Sequence, residues 1–455
     1  MGRAGGGGRR DPRVVAPALI ARTALVRGAA GTVLLNLGTT ALNFAVALVL
    51  ARLLGSDGYG AFAFAFAWAT VLSSLAGLGL SPLVVRHVAA MTAREDWSRL
   101  RGLLRWANTV VTAASLLAIA VAAGCAWYLL DEQILRRPTL IGLALVLPTA
   151  LVIIRQSAMQ GLGRVVLGRV PETIVAPGLF LALAAAAGST SRLSASLAVG
   201  LLLAATLAAL TLGAVLLARA LPAAVRAAAP HYDRHSWARS ATPLFLLGLV
   251  GVVGSQASTI LMGVFAAPRD TGVFALALRV STFAGFLFLA ATYPLMPAVA
   301  RLHSTGRAEE LRETIQRAAR IVFLLSLPVA AAIAALAGPL LGVFGDEFRS
   351  GDVAVCLLVL GELVKVFLGL SGLALVMTGH EDDFARGVVA GAAVSVVLSV
   401  VLIPPLDTVG AALATAGGVV VTHLLLTVLA RRRLGFAGAA WWGQAGARSR
   451  RSIQS

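Results

Sequence analysis

The stretch that decides the fold is Arg52–Ala69, RLLGSDGYGAFAFAFAWA, in which a charged, glycine-rich hinge runs into a nearly unbroken apolar segment. A related hinge, APRDTGVFALALR, returns at Ala267–Arg279. The letters GAFA at 60–63 match GVFA at 272–275, 212 residues later. A polar hinge between apolar segments predicts two spans joined by a tight turn. Its return predicts an internal repeat.

The composition assigns the chain to the membrane proteins. Of the 455 residues, 58% are hydrophobic and 13% charged, and the mean hydropathy is +0.88. Soluble domains carry about 25% charged residues. The net charge of +18 lies in tails and between apolar runs, with no basic patch interleaved with aromatics, so nucleic acid is not an expected partner.

Twelve apolar runs are long enough to span a bilayer, since a span needs about 20 residues. They are predicted at about 31–51, 59–81, 106–129, 139–160, 172–189, 195–218, 242–266, 272–297, 319–344, 352–379, 385–404 and 408–430. With the N-terminus inside, the inside segments and adjoining span ends hold 30 of the 38 basic residues and the outside loops hold 6. This alternation follows the positive-inside rule and predicts cytoplasmic termini.

The repeat predicts two six-helix lobes that enclose a site and alternate in access. Met159-Gln160-Gly161 matches Met377-Thr378-Gly379, which supports the repeat. The predicted organisation is a basic cytoplasmic tail at 1–29, an N-lobe at 30–218, a cytoplasmic amphipathic linker at 219–241, a C-lobe at 242–430 and a basic cytoplasmic tail at 431–455.

The run LARLLGSDGYGAF…GLGLSPLVVRHVA resembles the polysaccharide biosynthesis flippases, the oligosaccharide-lipid branch of the multidrug/oligosaccharidyl-lipid/polysaccharide (MOP) exporter superfamily. Arg52, Leu54-Gly55 and Tyr59-Gly60 match the family pattern between spans 1 and 2, and Gly77-Leu78-Gly79 matches its pattern late in span 2. Three C-terminal stretches, SLPVAAAIAALAGPLLGVFG, MTGHEDD and IPPLDTVGAALAT, are similar to the family in order. The hinge is then an extracellular turn, which Gly58 and Gly60 permit, with Tyr59 at the membrane interface.

The resemblance implies an all-α integral membrane protein of the MOP/MATE-like fold, with two lobes around a V-shaped, cationic cavity. It implies a flippase that moves a polyprenyl-diphosphate-linked oligosaccharide across a bacterial cytoplasmic membrane, without a cofactor. Glycosyltransferases or a polymerase of the same pathway are the implied protein partners. Cys125 and Cys356 stand alone in apolar runs, and no G-x-S-x-G, H-E-x-x-H or P-loop pattern is present, so neither a metal site nor an enzyme is expected.

Charged residues inside spans are the candidates for diphosphate binding, because a charge in a membrane is costly to retain without a function. These candidates are Arg279, Lys365, Arg155 and Arg52. Arg favours bidentate phosphate contacts, and Arg279 is the first choice. Competing interpretations are snorkelling to the interface for Arg52 and Arg155, and a local ion pair between Lys365 and Glu362.

Neutral polar residues are candidates for lining the cavity. Asn36 and Asn43 share one face of span 1, Gln156 lies on span 4 and Gln256 on span 7. Each could bind sugar hydroxyls or form hydrogen bonds between helices. Glu362 is the only carboxylate predicted in the middle of a span, so it is the candidate for ion coupling.

Three alternatives to the flippase remain at this point. A MATE-like multidrug or cation antiporter would need buried acidic residues facing its substrate. A membrane glycosyltransferase or polymerase would need a carboxylate cluster or a large loop, and every predicted loop is short. A non-transporting scaffold of envelope assembly would tolerate changes in its cavity.

Overall fold

The computed structural model describes residues 12–129, 133–190 and 192–440. Within these ranges, the side chains at 12–37, 129, 133, 190, 242–244, 246–247, 249, 253 and 293–294 are not described. The described backbone is helical, with short 3₁₀ and π segments and no strand. The predictions for residues 1–11 and 441–455 of the two tails lie outside the described residues.

The N-terminal half contains eight α-helices. They are α1 Pro12–Ala76, α2 Leu80–Ala93, α3 Trp97–Leu129, α4 Gln133–Leu143, α5 Val146–Gly161, α6 Val165–Val170, α7 Ala176–Thr190 and α8 Ala195–Ala220. A π-helical segment, Pro171–Val175, joins α6 to α7.

Nine more α-helices follow. They are α9 Ala223–Ala227, α10 Arg234–Phe265, α11 Pro268–Ser281, α12 Phe286–Ser304, α13 Ala308–Ala335, α14 Ala337–Gly342, α15 Asp352–Leu368, α16 Leu370–Met377 and α17 Glu381–Leu434. Two 3₁₀ segments, Thr282–Gly285 and Asp346–Gly351, precede α12 and α15.

Within the described ranges, eight helical stretches are long and apolar enough to cross a membrane. A ninth is added if α15 and α16, which are bent by 45° relative to each other, count as one span. Two of the eight, in α1 and α17, each contain a non-helical residue that lies between two predicted spans: Gly55 in α1 and Asp407 in α17. The all-α membrane fold is confirmed, and the count of twelve spans stays a prediction.

The break in α1 lies at Gly55, which has φ 66° and ψ 179°. This left-handed φ favours glycine, which has no Cβ to clash. The assignment of the turn to Gly58 and Gly60 was therefore wrong, because both residues lie in the helix after the break. Tyr59 also does not face outward as an interfacial anchor would, because its side chain is buried and meets the ring of Phe348 edge-on, with centroids 6.1 Å apart.

Gly60 and its repeat partner Gly272 allow α1 and α11 to cross in close contact. A Cβ on Gly60 would lie 1.8 Å from the carbonyl oxygen of Pro268, and one on Gly272 would lie 2.2 Å from that of Ser56. Small residues permit such backbone approach between membrane helices. The two copies of the repeated hinge therefore pack against each other.

Helix α10 connects the two halves of the chain, because its ends pack against different helices. Near its start, Trp237 is buried against Trp106 of α3, with ring centroids 5.3 Å apart. Near its end, Ser258 accepts a hydrogen bond of 2.8 Å from the Thr415 hydroxyl of α17. The helix begins within the predicted linker, 219–241, whose last residues therefore pack on the N-terminal half.

Candidate functional site: a cavity between the two halves

A cavity of about 670 Å³ lies between helices of the two halves. Its lining comes from α1, α5, the π segment, α7 and α8 of the N-terminal half, and from α10 and α11. On α1 the lining runs from Thr39, before the break, to Ser74, after it. At 1.5 Å rise per residue, each of these positions lies about 25 Å along the helix from Gly55, so the cavity extends far along both segments of α1.

Polar atoms from both halves face this mainly apolar cavity. Of the predicted polar residues, Asn43 and Gln256 line it, and so does the predicted cation Arg279. Further hydroxyls come from Thr39, Thr70, Ser73, Ser74, Thr149, Thr173, Thr206, Thr259 and Thr282. A mainly apolar lining with polar groups that can orient a ligand is typical of a ligand site.

Arg279 crosses from one half to the other. Its Nη1 donates a hydrogen bond of 2.9 Å to the backbone carbonyl oxygen of Asn43 on α1. A guanidinium has five N–H donors, and this contact uses one of them. The side chain is thus held in place by α1 while it lines the cavity.

The other predicted cations do not line this cavity. Arg155 and Gln156 line a separate small pocket on α5, where Arg155 Nη1 is buried without a described hydrogen-bond partner. Lys365 and Glu362 form an ion pair on α15 and are partly buried. Arg52 Nε donates a hydrogen bond of 2.9 Å to the carbonyl oxygen of Val343.

Asn36 is the one candidate residue whose side chain the structure does not describe. The residue belongs to α1. Of the nine candidate side chains, the structure therefore brings three together in the cavity: Asn43, Gln256 and Arg279.

Sequence reasoning missed a carboxylate, that of Glu172, which lines the cavity. The prediction that Glu362 is the only mid-span carboxylate was wrong, because the helical span runs Val165–Ser189 and encloses Glu172. Span 5 was predicted at about 172–189, which places Glu172 at its first residue. The apolar residues Val165, Val166 and Leu167 before that pair could have extended the span.

The two halves meet closely at the end of the bundle that holds the hinges, called here the hinge end. Both oxygens of the Glu347 carboxylate accept hydrogen bonds from Ser56: Oε1 from the backbone N–H and Oε2 from the hydroxyl, each 2.9 Å. Ser56 follows the break at Gly55, so its N–H belongs to a restarting helix and lacks a helical partner. The carboxylate supplies one, and together with Arg52 and Val343 it closes the hinge end.

Known proteins support this architecture at two levels. The sequence profile of the family described as "Polysaccharide biosynthesis protein" matches residues 25–303. The protein named "Probable flippase AglR", from Haloferax volcanii, is 28% identical over 184 residues, which is 40% of this chain and 38% of the relative. The match thus spans well under half of that curated relative's length.

Two solved structures share the fold at low identity. One is described as the "Inward-facing conformation of a multidrug resistance MATE family transporter of the MOP superfamily"; its TM-score is 0.73 at 13% identity, over 87% of this chain and 94% of that one. The other is "Lipid II flippase MurJ, inward closed conformation", with a TM-score of 0.70 at 12% identity, over 87% of each chain. The fold is therefore that of MOP superfamily transporters. Because the family profile covers more than half of its residues, the chain belongs to the polysaccharide biosynthesis protein family.

Proposed function

We propose that this membrane protein is a transporter that flips a polyprenyl-diphosphate-linked oligosaccharide across the bacterial cytoplasmic membrane. The observation that carries the proposal is the guanidinium of Arg279 in a cavity between the two halves. The family and its flippase relative support the class of function. The proposal further specifies a lipid-linked sugar as the substrate, the bacterial cytoplasmic membrane as the location, and cytoplasmic termini.

A guanidinium suits a diphosphate for geometric reasons. Its planar N–H fork donates two parallel hydrogen bonds to phosphate oxygens, which a lysine ammonium cannot do. The apolar walls of the cavity strengthen the attraction, because the effective dielectric constant is lower there than in water. Arg279 is the proposed diphosphate ligand, and Asn43 and Gln256 are proposed ligands of sugar hydroxyls.

The remaining predicted cations have different proposed roles. Arg52 belongs to the closed hinge end, where it bonds Val343. Arg155 and Lys365 stay candidates for a diphosphate contact that would need the lobes to move, since neither lines the cavity in this conformation. Glu362, paired with Lys365, stays a candidate for ion coupling.

The placement of these contacts supports an alternating-access cycle. The hinge end, predicted to face outside, is closed by the Ser56–Glu347 and Arg52–Val343 hydrogen bonds. Breaking them would let the halves separate at that end and expose the cavity. The proposed cycle alternates between this closed arrangement and one that is open at the hinge end.

A cation antiporter is the second candidate, and the lining itself favours it. Glu172 supplies a negative charge, and the ring of Phe62 stacks on those of Phe66 and Phe180, with centroids 6.2 Å and 5.9 Å away. Such a surface attracts organic cations. Against it, Arg279 in the same cavity repels them.

Transport in proteoliposomes separates the two candidates. The full chain is reconstituted with a fluorescent polyprenyl-diphosphate disaccharide, and flipping is read from quenching of lipid in the outer leaflet. The proposal expects flipping above the protein-free rate and no efflux of a cationic dye. Dye efflux without lipid flipping would replace the proposal with the antiporter.

A further inference from the structure

Glu172 is a charged group that the proposed diphosphate contact does not use. It lines the cavity, and the described residues give it no ion pair and no side-chain hydrogen bond. Arg169, one turn earlier, acts on it electrostatically but does not pair with it. A carboxylate held partly out of water without a partner is costly, so its retention indicates a ligand.

The local backbone turns Glu172 toward the cavity. Pro171 begins a π-helical turn, Pro171–Val175, in which the N–H of Ala176 bonds the carbonyl oxygen of Pro171 instead of that of Glu172. A π turn inserts one residue into a helix and rotates the side chains that follow it, and such turns occur often at functional sites. Among the residues that the structure describes, this is the one π-helical segment, and it lies where α6 and α7 meet beside the cavity.

The surroundings of Glu172 fit a sugar better than a second phosphate. Thr173 and Thr206 line the same cavity, and among the aromatic rings that line it, that of Phe66 is exposed. A carboxylate accepts hydrogen bonds from two neighbouring hydroxyls, and an aromatic ring packs against the apolar face of a pyranose. The negative charge repels phosphate, so Glu172 and Arg279 suit different parts of one substrate.

The two charged groups lie at different depths. Helix α11 begins at the hinge end, and Arg279 lies 11 residues after its first residue, about 16 Å at the helical rise. Helix α7 finishes at the hinge end, and Glu172 lies 18 residues before its last residue, about 27 Å. The axial separation is therefore about 10 Å, which a short oligosaccharide attached to a diphosphate can bridge.

We infer that Glu172 is a specificity-determining residue that accepts hydrogen bonds from sugar hydroxyls of the lipid-linked substrate while Arg279 binds its diphosphate. The inference rests on the proposed function. It predicts that the protein prefers a sugar-bearing lipid to the same polyprenyl diphosphate without sugar. Removing the charge of Glu172 should abolish that preference without weakening the diphosphate contact.

The test compares affinities for two fluorescent lipids, polyprenyl diphosphate with and without a disaccharide, in the reconstituted full chain. The variants are Glu172→Gln, which keeps the shape, and Glu313→Gln, an exposed control on α13. Because hydrogen bonds to a charged group are worth more than those to an amide, Glu172→Gln should weaken binding of the sugar-bearing lipid about tenfold or more. Its affinity for the sugar-free lipid should be unchanged, which also shows that the variant is folded.

The other outcomes separate failure of this inference from failure of the proposed flippase function. If Glu172→Gln keeps the wild-type preference, or if the wild type binds both lipids equally and strongly, the inference fails and the flippase proposal stands. If the wild type binds neither lipid, both fail. A loss of affinity for both lipids in Glu172→Gln would make the residue structural and would overturn the inference.

Discussion

The contact between Ser56 and Glu347 should control how often the cavity opens at the hinge end. Two hydrogen bonds of 2.9 Å join the halves there, and both end on one carboxylate. Glu347→Ala removes both while leaving the backbone of each half intact. The expected result is a shift of the equilibrium toward the arrangement that is open at the hinge end.

The magnitude follows from the number and exposure of these bonds. A hydrogen bond to a charged group contributes about 1.5–3 kcal/mol, and the lower value applies because Glu347 is exposed. Because solvent screening weakens exposed contacts, the two hydrogen bonds together stabilise the closed arrangement by about 2 kcal/mol. Since 1.4 kcal/mol is a factor of ten, the open fraction should rise about 30-fold.

A cysteine in the cavity reports this opening. The native Cys125 and Cys356 are both exposed, so they are first changed to Ser. Ala275→Cys then places a thiol in the cavity lining, seven residues or about 10 Å along α11 from Pro268. An impermeant maleimide added on the hinge side measures the rate of modification.

A neighbouring carboxylate, that of Asp346, provides the control for the rate of modification. Asp346→Ala removes the neighbouring carboxylate, whose ion-pair partner within the described ranges is Arg349, three residues away along the chain, at 3.0 Å. This variant should leave the rate unchanged. An unchanged rate in Glu347→Ala would show that this contact does not hold the hinge end closed. Equal acceleration by both variants would attribute the effect to general loosening of the segment before α15.

Two further predictions concern the packing that supports the cavity. Gly60→Ala should lower the melting temperature in detergent markedly, because its Cβ would overlap the Pro268 carbonyl. The control Gly338→Ala, with no atom within 4 Å of its Cβ, should leave the melting temperature unchanged. Equal melting temperatures of the two variants would refute the close approach of α1 and α11. Trp237→Ala should lower the free energy of unfolding by about 3–5 kcal/mol and detach the start of α10 from the N-terminal half. Trp127→Ala is the control, because Trp127 is exposed. If Trp237→Ala is no less stable than this control, α10 is not anchored by Trp237.

The sequence sufficed for the fold class because bilayer physics acts on single segments. Apolar length, charge alternation and the repeated hinge each predict membrane helices without knowledge of their packing. The place of the break was less predictable. Gly55, Gly58 and Gly60 all lie in one hinge, and only the packing decides that Gly55 turns the chain while Gly60 makes room for α11.

The site was only partly predictable, for a similar reason. Arg279 stood out as a charge deep in an apolar run, but its bond to the Asn43 carbonyl joins residues 236 apart in the chain. Nothing local predicts such a pairing. Glu172 was missed because it stood at the predicted first residue of span 5, whereas the helix runs through that position by way of a π turn.

The most direct test of the central claim is the flipping rate of the polyprenyl-diphosphate disaccharide with Arg279→Ala, compared with Arg279→Lys and with Arg105→Ala, an exposed control on α3. The account predicts loss of flipping in Arg279→Ala, since the proposed diphosphate ligand is gone. It predicts partial activity in Arg279→Lys, which keeps the charge without the fork, and a wild-type rate in Arg105→Ala. Wild-type flipping by Arg279→Ala would contradict the claim that this guanidinium binds the transported diphosphate.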